Sequence, residues 1–123
     1  MTKYITEPPY DTYDLSTFVA TNDTVYIGHF GGFCGSDGSI LETIEEQFIQ
    51  TLSNLEKALK NSHLSLNHVV KMTVILKDIN DFKGMHSVWT QFFKEGRYPV
   101  RTVITSDFVS EHCLVQIDGI AHY

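Results

Sequence analysis

Between Leu41 and Leu59 the apolar side chains Leu41, Ile44, Phe48, Leu52, Leu55 and Leu59 recur at steps of three and four residues. At 3.6 residues per turn this spacing gathers them into one stripe of an α-helix. A stripe of this kind holds in water only when another layer covers it, because isolated helices are marginal. The rest of the chain must therefore supply a sheet or a second helix to receive it. Ser39-x-x-Glu42 and Thr43-x-x-Glu46 are overlapping capping boxes at its start. Glu42, Glu45 and Glu46 crowd the first turns and Lys57 and Lys60 the last, which suits the helix dipole.

The flanking segments read as that partner layer. Thr17–Thr21 and Thr24–Phe30 are β-rich, and Asn22-Asp23 between them is a turn signal, so a hairpin is expected. "GGFCGSDGSI" follows, with four glycines in ten residues. It lacks the Lys-Ser/Thr ending of a phosphate-binding loop, and hairpin turns account for it better. "HVVKMTVILKD" is a strand with Val70, Met72, Val74 and Leu76 on one side. Val69, Lys71, Thr73, Ile75 and Lys77 form a mixed other side. "DINDFKGMHSVWTQFF" is a second helix, capped by Asp78 or Asn80, with Ile79, Phe82, Met85, Trp89 and Phe92 as its buried stripe. Gly84 within it argues for tight packing there. "PVRTVITS" is a strand whose start Pro99 sets. In "CLVQIDGIAHY", Val115 and Ile117 alternate with Gln116 and Asp118, and Gly119 suggests a bulge. The order is hairpin, α, β, α, β, β. The expected fold is α+β: a mixed β-sheet with two helices packed on one face.

Length and charge narrow the classes. The 123 residues suit one domain over 1–123, with 1–16 as an extended arm that holds two of the three prolines. No apolar run approaches the roughly 20 residues that span a bilayer, so no membrane association is expected. The first residues carry no apolar signal core, which makes the cytoplasm the default compartment. Two cysteines, Cys34 and Cys113, are too few for a disulfide framework. Nine Lys and Arg against fifteen Asp and Glu leave a net charge of −6 with no basic stripe. That balance argues against nucleic acid as a partner. The six histidines form no HxH or HxxxH spacing, so no metal site is read.

One residue resists the strand pattern. Arg101 sits in the middle of "RYPVRTVIT", where alternation asks for an apolar side chain. It either pairs with one of the fifteen acids or serves a ligand.

Several segments together resemble the Rid family, the reactive-intermediate deaminases also called YjgF-type proteins. "HVVKMTVILKDINDF" over 68–82 is similar to that family's signature. "YPVRT" resembles its Pro-x-Arg strand start, and "LVQIDGIA" its acidic-apolar last strand. "VYIGHFGGFCGSDGSI" follows its second strand and hairpin turn. The likeness runs without gaps from about Val25 to the C-terminus, while the arm differs. It implies a chorismate-mutase-like domain assembled as a homotrimer, with each ligand pocket between neighbouring subunits. A mixed sheet face carrying Thr and Lys suits such a wet interface.

The resemblance also implies chemistry. Arg101 would grip the substrate carboxylate, a task that suits a planar fork donating two parallel hydrogen bonds. Arg97 precedes the proline in a loop and is expected to face solvent. The implied reaction is hydrolysis of a small enamine or imine, of the 2-aminoacrylate or 2-iminobutanoate type, to a 2-keto acid and ammonia. No metal or organic cofactor is implied.

The sequence departs from the family pattern at several places. The acid that the deaminating branch carries in its last strand corresponds to Gln116, which can hold a water but cannot take its proton. Asp118, two residues on, is the substitute base to test. The family's pocket Cys corresponds to Val103, its pocket Ser to Gly28, and its Asn in the second helix to His86. The pocket tyrosine of the arm matches Tyr10 by its preceding proline and Tyr13 by spacing. His29 and Phe30 are further candidates to line the cavity. The leading expectation is an imine deaminase. The alternative is a non-catalytic or regulatory binder of small 2-keto acids at the same cleft.

Overall fold

The computed structural model describes residues 1–6 and 15–123. Six strands form one sheet in the order β1-β2-β3-β6-β4-β5. They are β1 (Lys3–Ile5), β2 (Phe18–Ala20), β3 (Thr24–Gly31), β4 (Val69–Leu76), β5 (Val100–Thr105) and β6 (Val115–His122). Neighbours run antiparallel except β4 and β5, which are parallel and joined through a helix. Helices α1 (Ile44–Asn61) and α2 (Phe82–Phe92) pack on each other, and the core lies between them and one face of the sheet. The mixed sheet with two helices is the architecture that the pattern of elements calls for. No helix among the described residues is long and apolar enough to cross a membrane.

Thr43 is the N-cap of α1: its hydroxyl accepts from the Glu46 backbone N–H and donates to the Glu46 carboxylate. The second capping box therefore starts the helix. Ser39 belongs instead to a hairpin closed by a bridge between Cys34 and Ile40. Phe48, Leu52, Leu55 and Leu59 are fully buried against Met72, Val74, Leu76, Val115 and Ile117. Each such side chain contributes about 2 kcal/mol by leaving water. Gly84 lets α2 meet α1, since a Cβ there would stand 2.6 Å from the Ile44 side chain. Cys113 is buried and Cys34 half-buried, both as free thiols.

Three expectations need correction. Ile79 lies in a short 3-10 turn capped by Asp78 and is 61% exposed, so it is outside the buried stripe of α2. Val88 takes that place. Val69 is buried and Val70 is 48% exposed, the reverse of the expected faces. The register against β6 shifts between Val69 and Lys71, and an extra residue on one strand flips every side chain before it. Gly119 itself is not the extra residue of a bulge. The extra residues lie on its neighbours, between Ile27 and Phe30 and between Val69 and Lys71. The Lys71 carbonyl packs where a Cβ on residue 119 would be, and only glycine fits.

A buried amide ties the layers together. Gln47 donates to the carbonyls of Leu41 and His112 at 2.9 and 2.8 Å and accepts from the Leu114 N–H at 2.8 Å. It thus fastens the entry to α1 to the entry to β6. Gln47→Leu would leave three backbone groups unpaired, and we expect a loss of about 2–4 kcal/mol in urea unfolding.

Candidate functional site

Arg101 lies opposite Met72 in the parallel pairing of β5 with β4, so its side chain leaves the sheet on the helix-covered face. Because β5 is an edge strand, that side chain is only partly enclosed. Its guanidinium carbon stands 4.7 Å from the Trp89 ring centre and 5.5 Å from that of Phe82. One terminal nitrogen lies 3.1 Å from Nδ1 of His86. Phe82 and His86 are stacked at 5.8 Å with their planes 7° apart. Positions 82, 86 and 89 share one face of α2, and that face forms an aromatic bracket around the cation. Burial lowers the Arg101 pKa from its ordinary value, yet the group remains a cation at any working pH. Among the described residues no carboxylate lies within ion-pair distance of it.

The other candidates divide between the two faces. Val103 shares the face of Arg101 and packs against the core. Gln116 and Asp118 point the opposite way, paired with Ile75 and Thr73 on the open face. There they border a hollow of about 450 Å³ with Lys71, Thr73, Tyr26 and His29. One protomer therefore does not bring Arg101 together with Gln116 and Asp118. Gly28 borders the same hollow, but a Cβ on it would meet the carbonyls of Ser16 and Thr17 at 3.4 and 3.2 Å. Phe30 does not line a cavity. It is buried in the core against Phe18, on the face opposite its neighbour His29. Tyr10 and Tyr13 lie outside the described residues. Arg97 is exposed in the loop before β5.

A larger cleft of about 590 Å³ opens at the ends of β4 and β5, among Lys77, Asp78, Asp81 and Asp107. Burial, then the charges of Asp78 and Glu45, raises the Asp81 pKa. A site with this charge repels a carboxylate ligand. The bracketed arginine is the better anchor for an anion.

The role of α2 is the part that sequence reasoning missed. Phe82 and Trp89 read as core stripe, and His86 is a pocket candidate only through the family resemblance. The signal was present, since 82, 86 and 89 are spaced to share a face, but nothing in the sequence said that this face meets Arg101.

A mixed sheet covered by two helices is the fold of YjgF-type proteins. The Rid-family protein YyfA from Yersinia pestis has the same fold, with a TM-score of 0.88 over 100% of both chains at 21% identity. The chain belongs to the family described as Endoribonuclease L-PSP, whose model matches residues 6–123. A RutC family protein from Pyrococcus horikoshii is 37% identical over 79 residues, 64% of this chain and 62% of that protein. The chain thus matches about three-fifths of that relative's length, and 61% of its Pyrococcus abyssi counterpart. The human protein named 2-iminobutanoate/2-iminopropanoate deaminase is 30% identical over 107 residues, 86% of this chain and 77% of that one.

His29 is exposed on the open face of the sheet, yet the desolvation it meets there lowers its pKa from 6.5. As pH falls through 6.5 the unfolded chain takes up a proton that the folded chain resists, so stability declines below that pH. Thermal melts from pH 7.5 to 5 are expected to show this decline, and His29→Phe to flatten it.

Proposed function

We propose that this protein hydrolyses small 2-imino acids to 2-keto acids and ammonia. The observation that carries the reading is Arg101: a cation seated over two aromatic rings, with no carboxylate partner among the described residues. A guanidinium has five N–H donors, and His86 takes one. The remainder can receive a carboxylate through two parallel hydrogen bonds. The name of the human relative, at 30% identity, supports this choice of chemistry.

The reaction asks little more of the protein. Water adds to the protonated imine carbon, a proton passes to nitrogen, the C–N bond breaks, and the carbinol oxygen becomes the ketone. Holding the acid group and one water in place supplies most of the help such a step needs. Gln116 would hold the water and Asp118 would accept its proton. These two residues lie on the face opposite Arg101, so one ligand meets all three only across a boundary between two copies. A homotrimer with the site between subunits satisfies this requirement. The uncovered face also supports it, for Val100 is 67% and Tyr26 50% exposed there.

Gln116 favours one other reading. An amide at that position suits binding better than proton transfer, as in a sensor of 2-keto acids using the same arginine.

Imines generated by an amino-acid oxidase can be trapped with semicarbazide. The protein is expected to suppress semicarbazone formation, and Arg101→Ala to remove at least about nine-tenths of that effect. A wild-type protein that leaves trapping unchanged, yet melts higher with 2-oxobutanoate present, would be the sensor instead. Gln116→Glu is expected to raise the deamination rate about tenfold or more. A rate that stays level leaves Asp118 as the base.

A further inference from the structure

We propose that His86 is a positioning residue, whose ring holds the Arg101 guanidinium in the orientation that receives a carboxylate. The inference rests on the carboxylate-binding reading of Arg101 and adds to it the part that sets the fork's direction.

The guanidinium can only donate, so the 3.1 Å contact requires a lone pair on Nδ1 of His86 and places the ring proton on Nε2. The ring cannot turn freely to other partners, because it lies parallel to Phe82 one helical turn away. Phe82 and Trp89 hold the guanidinium carbon over their rings without fixing where its N–H groups point, since the attraction of a cation to a ring face sets no direction for them. A hydrogen bond does have a direction. The contact with His86 is the directional restraint on the fork among the described residues. Without it, the long side chain is stacked but free to rotate, and each binding event must order it again.

His86 itself is exposed, at the rim of the α2 face that carries Phe82 and Trp89 and away from Met85 and Val88 in the core. Its removal should therefore leave the fold intact. Asparagine can replace its function, because Oδ1 is an acceptor where Nδ1 was one, whereas alanine supplies none.

The test uses the full chain and 2-oxobutanoate as the carboxylate probe, with affinity read by calorimetry. His86→Ala is expected to weaken binding about five- to tenfold, and His86→Asn to stay within about twofold of wild type. Nitrogen-15 NMR of the Arg101 side chain gives a second readout. Separate signals for its two terminal nitrogens are expected in wild type and His86→Asn, and a single averaged signal in His86→Ala. If His86→Ala binds like wild type, or His86→Asn as weakly as His86→Ala, the positioning role is overturned. Arg101→Ala separates the two levels. Lost binding in that variant with no effect of His86→Ala removes only this inference. Undiminished binding in Arg101→Ala removes the carboxylate reading and this inference with it.

Discussion

Among the described residues only one face of this sheet is covered, and most of the molecule follows from that. The stripes of α1 and α2 bury Phe48, Leu52, Leu55, Leu59, Met85 and Trp89 against Met72, Val74, Leu76, Val115 and Ile117. Strand alternation then sends the intervening side chains to the other side. Lys71, Thr73, Gln116 and Asp118 are thereby gathered on an open surface without any helix to meet them. Arg101 is the exception that alternation creates: it faces the helix layer, but from the edge strand, where that layer ends. The position gives a charged group both a rigid floor and an outlet.

Close approach fastens this arrangement. Gly84 brings α2 onto the start of α1, and Gly119 admits the Lys71 carbonyl against β6. Gln47 satisfies three backbone groups at once, linking the start of α1 to the start of β6. The helix that carries Phe82, His86 and Trp89 is thus held at a fixed height over β5. A cation–π bracket needs this, because its strength falls off beyond about 6 Å. The architecture that makes the core also sets the bracket, so the position of the Arg101 guanidinium depends on the same packing that stabilises the fold.

Much of this was legible beforehand. The α1 stripe, its Thr43 cap, the hairpin and the order of elements all follow from local patterns that burial later used. Three readings failed for one kind of reason. Val69 and Val70 exchanged faces because a register shift lies between them and β6, and register depends on a partner strand rather than on the strand itself. Phe30 looked like a cavity residue and entered the core, since the bulge between Ile27 and Phe30 sets which side it takes. Ile79 looked like the first residue of the α2 stripe, but the 3-10 turn before the helix carries it into solvent.

The sequence alone determined which residues can do chemistry: a guanidinium in a strand, an amide and a carboxylate two residues apart, an imidazole on a helix. It determined too that a mixed sheet would be covered by two amphipathic helices, because periodicity is a property of neighbouring residues in the chain. Only the tertiary structure decided that Arg101 and Gln116 take opposite faces of the sheet, and that His86 meets the arginine. Those facts are relations between segments distant in sequence. They are fixed by strand register and helix height, which no single segment encodes.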